Sequence, residues 1–297
     1  MSRLAAITCA VAAVAAATVM LGPGAPPAAA QTAPHARAAP DTSKADGEAA
    51  EAIALLDKAV EDRNATVVQE QLRHFEDLWR SISPKMLKKV TTSVVGFFKN
   101  FKPRNDYDLP LEPTRAGDEP RVVEDTGREE LLASYKLAAG VLYDKPEGRE
   151  VIQQVLKIPH VRAWPEVVAI LVEGLGYQPD TGLTAVIRPY LDDPSPLICG
   201  AAAKALAQLH DEPIAVRREA VGALVKAYSA ALDAAEKEKR RAKPAADGET
   251  VPTPAADKLV LMEVPFGLSL QKLTRQSCTG PAAWQKWFDE HGKDANW

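Results

Sequence analysis

Few residues in this sequence have the type and spacing needed to catalyse a reaction or bind a metal. His74 and Asp77 are three positions apart, so a helix would bring both side chains to one face, as in half of a metal site. No further ligand follows at a matching interval, and polar residues beside an apolar stripe explain the pair more simply. The sequence therefore predicts no metal centre.

Three further histidines give no catalytic pattern. His160 lies in a turn next to a proline, His210 precedes two acids at an expected helix end, and His291 is near the C-terminus. None has a Ser or Cys placed to act as a nucleophile beside it. Gly-x-Ser-x-Gly, phosphate-binding Gly-rich loops and His-Glu-x-x-His are all absent from the sequence. We predict no catalytic residue and no cofactor.

Cys199 and Cys278 are the cysteines outside the N-terminal apolar segment. In an exported protein they can form a disulfide, which leaves that alternative open. Their wide separation in sequence favours two separate thiols, each a small apolar residue on its own helix. The chain has no Cys-x-x-Cys pair, so a zinc site has no support.

A basic region with neighbouring aromatic residues is the clearest candidate for binding. Such a region can bind an anionic polymer, a lipid surface or nucleic acid. A solvated helix face with the Phe rings in the core explains the same pattern and is favoured. The region consists of Lys85, Lys88, Lys89, Lys99, Lys102 and Arg104, with Phe97, Phe98 and Phe101. The residues predicted to contact a partner are Lys85, Lys88, Lys89 and, further along the chain, Arg218.

The first 30 residues have the pattern of a secretory signal. One arginine precedes an uncharged stretch from Leu4 to Leu21, and an Ala-x-Ala site ends at Ala30. Cleavage after Ala30 would deliver the protein to the periplasm or the exterior, without stable membrane insertion. The alternative is an uncleaved N-terminal anchor, because the uncharged stretch is nearly long enough to span a bilayer.

Composition and periodicity predict helices throughout the remaining chain. Hydrophobic residues make up 46% and aromatic residues only 6%, and the net charge of −4 argues against nucleic acid as a partner. Apolar residues recur at helical intervals, with no alternating strand pattern. Helix starts are predicted at Ser83-Pro84, Pro165 and Ser195-Pro196, with Thr126 as a further helix cap, and an interruption of the segment from Asp257 to Leu273 is predicted at Pro265 and Gly267. The predicted organisation is a spacer at 31–47, a helical segment at 48–101, a linker at 102–127, helical repeats at 128–291 with a flexible insertion at 242–256, and a tail at 292–297.

Two consecutive segments of the C-terminal half are similar to each other at an offset of 18 residues. Asp211, Val216-Arg217, Ala220 and Ala223-Leu224 form a pattern that resembles HEAT repeats. The preceding unit, which begins at Asp193, has Cys199 where the second has Arg217. The segment from Leu270 to Phe288, with Trp284 and Trp287, looks like the closing part of exported bacterial HEAT-repeat proteins.

This resemblance covers residues 128 to 291 and implies an all-α, HEAT-like α-solenoid of stacked helix pairs. It implies that Trp284 and Trp287 cap the end of the stack. It also implies that the Arg217 side chain bonds to a neighbouring turn carboxylate such as that of Asp193. The function it implies is a non-catalytic scaffold of the cell envelope or exterior that binds a protein partner along a helical surface. Two alternatives stay open: an envelope enzyme of lyase or hydrolase type without a recognisable motif, and a structural protein tethered by an uncut N-terminus.

Overall fold

The computed structural model describes residues 42–102, 126–145, 147–177, 182–241 and 253–294. The predicted all-α fold is confirmed, since these residues form eleven α-helices and no strand. Single turns of 3₁₀ helix lie at Val161–Ala163 and Gln208–Asp211. The helices are α1 Ser43–Glu61, α2 Ala65–Leu78, α3 Pro84–Asn100, α4 Thr126–Leu142, α5 Gly148–Val155, α6 Pro165–Leu175, α7 Leu183–Leu191, α8 Pro196–Ala207, α9 Ile214–Arg241, α10 Pro254–Thr274 and α11 Gly280–His291.

Several helices begin where the sequence predicts because a proline occupies the first turn. At the start of α3, Ser83 Oγ accepts a hydrogen bond from the Met86 N–H at 3.3 Å, which satisfies one of the free donors of the first turn. Helices α6 and α8 also begin at a proline, Pro165 and Pro196, but without a side-chain cap hydrogen bond. The predicted starts at these three prolines are therefore confirmed.

Helix α1 begins earlier than the sequence analysis predicts. The sequence pattern places residues 43–47 in the spacer, but they form the first turn of α1. The reason is a tertiary contact, because the Asp46 carboxylate accepts hydrogen bonds from the Ser83 N–H at 2.7 Å and from Ser83 Oγ at 2.6 Å. This contact ties the first turn of α1 to the first turn of α3 across 37 positions of sequence.

Helix α10 is continuous where the sequence predicts an interruption. It starts at Pro254, inside the predicted insertion, and runs through Pro265 and Gly267 to Thr274. Both residues disfavour a helix interior. Burial outweighs that preference, because Met262, Phe266 and Leu270 on one side of α10 are at most 1% exposed.

Each helix packs mainly on the helices one and two places along the chain. Helices α2, α4, α6, α8 and α10 contact one another in that order, and contacts at the same interval join α1 to α3, α3 to α5, α7 to α9 and α9 to α11. One hydrophobic core runs through these contacts from α1 to α11. The N-terminal helices therefore pack on the later ones and do not stand apart.

The junction between the N-terminal helices and α4 is aromatic. Tyr135 of α4 is fully buried, and its hydroxyl donates to the Phe101 carbonyl oxygen at 2.5 Å. Its ring contacts Phe97, Phe98 and Trp164 at centroid distances between 5.5 and 6.1 Å. Edge-on and tilted ring contacts of this kind stabilise a core beyond the effect of buried area alone.

Glycine allows α6 and α8 to approach at backbone distance. A Cβ atom added to Gly176, directly after α6, would lie 2.5 Å from the Ala205 Cα of α8. At a separate contact, a Cβ added to Gly174 of α6 would lie 2.9 Å from the carbonyl oxygen of Tyr143, directly after α4. No real side chain fits at these distances, so both contacts depend on glycine.

The C-terminal helix packs as a cover on α9. Trp284 is 1% exposed, Trp287 is half-buried, and the two rings meet edge to face with centroids 5.9 Å apart. The ring of Phe288 lies 3.2 Å from where a Cβ of Gly222 would stand on α9. Through these contacts α11 covers part of the surface of α9.

Several predictions fall on residues outside the described ranges. These are the signal segment at 1–30, the spacer up to residue 41, most of the linker (103–125), most of the insertion (242–252) and the end of the tail (295–297). The side chain of Thr126, the predicted cap of α4, also lies outside them.

Candidate interaction groove

The basic region predicted from the sequence lies on the outer side of α3. Lys85, Lys88, Lys89 and Lys99 are exposed, whereas Phe97 and Phe98 are buried in the core. The interpretation of an amphipathic helix with its Phe rings inward is therefore confirmed. Phe101 is buried as well, Lys102 is exposed, and Arg104 lies outside the described residues.

A groove of about 580 Å³ separates α3 from α5. Its floor is apolar, and its rims are charged. Leu87 and Val95 of α3 and Val151 of α5 line the floor, together with the side chains of Thr91 and Thr92. Lys88 and Lys99 stand on the α3 rim, and Glu147 and Glu150 on the α5 side.

The groove exists because small residues on α3 face a short helix. A Cβ atom added to Gly96 would meet nothing within 4 Å, so space remains where a larger residue would contact α5. Helix α5 has only eight residues and is held in place by the buried Ile152 and Val155. Glu150 and Gln154 are exposed on its groove side. The opposite charges of the two rims are the main electrostatic feature of this surface.

The structure brings only part of the predicted binding set to this groove. Lys88 lines it directly, while Lys85 and Lys89 are exposed on the same helix outside the lining. Arg218 belongs to another region, because it lies on α9 and its Nη2 donates to the Asp294 carbonyl oxygen at 2.6 Å. Lys99 lines the groove although it was not among the predicted contact residues.

Arg217 has a role in helix packing that the sequence did not predict. Its Nη1 donates to the Leu273 carbonyl oxygen at 3.0 Å, in the last turn of α10. A cation near the final carbonyls of a helix is favourable, because those groups carry partial negative charge. The predicted acceptor, Asp193, uses its Oδ1 to accept from the Ser195 N–H at 2.8 Å.

Both cysteines outside the N-terminal segment are free thiols. Cys199 is fully buried in α8, and Cys278 is half-buried in the segment before α11. Cys199 Sγ donates to the Asp193 carbonyl oxygen at 3.1 Å, and Lys258 Nζ donates to the same oxygen. Burial raises the pKa of each thiol, so the neutral form is stabilised, and the thiolate required for nucleophilic attack is disfavoured.

His74, which is half-buried, and the exposed Asp77 both lie on α2, whereas His160, His210 and His291 lie in a turn or at helix ends. His160 Nε2 is 2.6 Å from the Phe98 carbonyl oxygen, and His291 Nδ1 is 3.0 Å from Asp294 Oδ2. His210 Nε2 is 3.1 Å from Asp211 Oδ2. Across the described ranges, no three His, Cys, Asp or Glu side chains come together as a metal site would require.

One polar cluster across three helices was not found by sequence reasoning. The Tyr143 hydroxyl donates to Glu173 Oε1 at 2.8 Å, and Lys204 Nζ lies 3.3 Å from Glu173 Oε2. Burial, together with hydrogen bonds to Tyr177 and Glu173, raises the pKa of Tyr143. The cluster joins the end of α4 to α6 and α8, and its residues are too far apart in sequence to form a recognisable motif.

A second missed feature is an apolar surface on α10. Val260, Leu261, Val264 and Leu268 are exposed on α10, and Leu197 is exposed on α8. Their spacing along the chain follows the helical period, and this was the available signal. The sequence pattern does not distinguish this exposed face, because α10 has a second, buried apolar face with the same period.

The helices of the described ranges include none that is long and apolar enough to cross a membrane. No model of a known protein family, no curated protein and no solved structure matches the chain.

Proposed function

We propose that this protein is an exported, non-catalytic scaffold that binds a segment of another protein in the groove between α3 and α5. The observation that carries the proposal is the lining of this groove, with an apolar floor between a lysine rim and a glutamate rim. An open groove with an apolar floor is suited to take an extended or helical segment rather than to enclose a small molecule.

The charges on the two rims favour a protein segment over a polyanion. A nucleic acid or an acidic polymer next to Lys88 and Lys99 would also face Glu147 and Glu150 across the groove. Those acids repel uniform negative charge and favour a ligand with basic groups on that side. A polypeptide with acidic residues on one edge and basic residues on the other satisfies both rims.

The order of helix contacts supports the HEAT-like, solenoidal part of the proposal. Helices that contact the second neighbour along the chain are expected when helix pairs stack side by side. Stacking of this kind creates long outward surfaces, over which binding is distributed. The assignment to HEAT repeats remains a proposal that rests on this contact order and on the repeat at Asp193 and Asp211.

Export is proposed from the N-terminal 30 residues alone. Expression of the complete chain in a secreting bacterium should give a product that begins at Gln31, as measured by intact mass and N-terminal sequencing. A product that retains Leu4 to Leu21 and fractionates with membranes would favour the tethered alternative.

The groove itself is tested by filling it. In Gly96→Leu, the new side chain should occupy open space in the lining of the groove. Gly47→Leu is the matched control, because Gly47 is also helical, with nothing within 4 Å of an added Cβ, but lies on α1. Each protein would be used as bait against the exported fraction of the native host, and bound proteins quantified by mass spectrometry.

We expect at least one protein to be retained by the wild type and by Gly47→Leu, and to fall about tenfold or more with Gly96→Leu. Circular dichroism and thermal unfolding would establish that both variants are folded. Equal recovery on all three baits would contradict binding in this groove. Retention of a cell-wall polymer, with no protein, would contradict the protein-scaffold function.

A further inference from the structure

Helix α10 has two apolar faces, and only one of them is covered. Met262, Phe266 and Leu270 are buried against α8 and α9. On the outward side, Val260, Leu261, Val264 and Leu268 are between 60% and 66% exposed. Isolated exposed leucines are common on protein surfaces, but four aliphatic side chains on one helical face are a contiguous patch of the kind found at interfaces.

The patch continues onto α8. Lys258 Nζ donates to the Asp193 carbonyl oxygen at 2.5 Å, and Lys272 Nζ donates to Gln208 Oε1 at 3.1 Å. These bonds fix α8 and α10 side by side and parallel, offset by about 65 positions. By this offset Leu197, which is 50% exposed, is within one position of the level of Leu261 along the paired helices. We call Leu197, Val260, Leu261, Val264 and Leu268 the α10 patch.

We propose that the α10 patch binds the same patch of a second copy of this chain, with the two α10 helices antiparallel about a two-fold axis at Val264. The first argument is shape. With this pairing, the helical period brings Leu261 of one copy against Leu268 of the other. Val260 then lies over Gly267 of the other copy, where no Cβ stands and none would meet an atom within 4 Å.

The second argument is charge. Asp257 is exposed in the first turn of α10, and Lys272 is exposed near its end. An antiparallel pair places the Asp257 of each copy near the Lys272 of the other, and it sets the helix dipoles in opposite directions. A parallel pair would oppose like charges at both ends. The patch is therefore complementary to itself in one orientation.

This inference goes beyond the proposed scaffold function, because the patch lies on α8 and α10, whereas the groove lies between α3 and α5. Self-association and partner binding are therefore separable properties. Loss of one need not remove the other, which allows each to be tested with variants that leave the other surface intact.

The test uses the chain expressed from Met1 and purified as the cell delivers it, with the monomer mass taken from denaturing mass spectrometry. Sedimentation equilibrium from about 1 to about 100 µM should show a monomer–dimer equilibrium, the range expected for an interface of modest area. Val264→Asp should weaken the dimer about 100-fold, because it buries two like charges at the centre. Leu55→Asp, at a leucine 49% exposed on α1, is the control and should leave the equilibrium unchanged.

A second measurement tests the orientation. Under mild oxidation, Val264→Cys should form a disulfide-linked dimer, because a two-fold axis at this position brings the two cysteines together. Leu55→Cys should keep the monomer–dimer equilibrium but form no disulfide-linked dimer. The proposal is overturned by a monomer at every concentration, by a dimer that Val264→Asp leaves intact, or by a dimer in which Val264→Cys does not cross-link. A monomer whose α10 patch retains a different protein would also overturn it.

Discussion

The contact between α6 and α8 and the contact between α3 and α5 both contain glycine, but the glycines act in opposite ways. At the first, Gly176 lets two backbones approach so closely that a Cβ would stand 2.5 Å from Ala205 Cα. At the second, Gly96 leaves space that nothing fills within 4 Å. The first contact is closed and structural, and the second is open on its outer side.

We call the α6–α8 contact the closed joint and the α3–α5 contact the open joint. The difference between them shows how a series of similar helices can contain both rigid contacts and a binding site for a partner. Closed joints such as α6–α8 fix the order of the helices, because close packing transmits position from one helix to the next. An open joint such as α3–α5 exposes an apolar floor that an added segment can cover. Substitutions at each of these contacts test whether they differ in this way.

The largest effect is expected at the closed joint. Gly176→Ala places a methyl group against the backbone of α8, which must move away. We expect a loss of about 3 kcal/mol in the free energy of unfolding, as is found when packed interiors are overfilled. Urea-induced unfolding followed by circular dichroism measures it. A loss below about 0.5 kcal/mol would mean that this joint is not closed, because a surface change has an effect of that size.

A second closed contact makes stability depend on alkaline pH. Tyr228 of α9 is 1% exposed and packs on Phe266 of α10 with ring centroids 5.4 Å apart. Burial, with a smaller effect of Glu263, raises the pKa of Tyr228 to about 12. The unfolded chain releases this proton near pH 10 while the folded protein retains it, so stability falls as pH rises from 10 to 12.

We expect Tyr228 alone to lower the free energy of unfolding by about 2 kcal/mol over that interval. Tyr228→Phe removes the ionisable group. Between pH 10 and pH 12 its free energy of unfolding should therefore fall by about 2 kcal/mol less than that of the wild type. Parallel slopes for the two proteins would show that Tyr228 is not buried in the neutral form.

At the open joint, substitution of glycine should stabilise the protein. Gly96→Ala adds a methyl group into free space and restricts the unfolded chain, so we expect a gain of about 0.5–1 kcal/mol. The same unfolding experiment measures it, and the sign is opposite to that of Gly176→Ala. A destabilised Gly96→Ala would indicate that α5 closes onto α3 and that no open groove exists.

The smallest effect concerns the contact that positions the start of α3, one wall of the groove. Hydrogen bonds from the side chain and backbone of Ser83 lower the pKa of Asp46. The contribution of the Asp46 carboxylate to the free energy of unfolding is therefore fully present above its ordinary pKa of 3.8. It is lost as pH falls through the lower pKa of the folded state. Asp46→Asn should be slightly less stable at neutral pH and should lose part of the acid dependence. Identical acid unfolding curves for variant and wild type would show that the contact between Asp46 and Ser83 does not stabilise the protein.

Local signals predicted a large part of the fold. Ser83-Pro84, Pro165 and Pro196 act within a single turn of chain, so the starts of α3, α6 and α8 could be read directly. The first turn of α1 could not, because it depends on the contact between Asp46 and Ser83. The course of α10 through Pro265 also depends on distant residues, since burial outweighs a local preference there.

The candidate site was only partly predictable for the same reason. The lysines of α3 were evident as a charged helix face, and the burial of the Phe rings followed from their spacing. The glutamates opposite them lie on α5 or directly before it, about 50 to 60 positions further along the chain, and nothing in the sequence places α5 beside α3. The open space at Gly96 and the contact of Arg217 with the end of α10 depend equally on tertiary packing.

Site-specific photo-crosslinking in the native host tests the central claim most directly. Gln154 lies exposed in the lining of the groove, and Leu55 is exposed on α1 away from it. A photoreactive residue at position 154 should give a covalent adduct with a distinct protein. The adduct should be absent at position 55 and should be lost when Gly96→Leu fills the groove. An adduct at position 154 that persists in Gly96→Leu, or no protein adduct at this position, would contradict partner binding between α3 and α5.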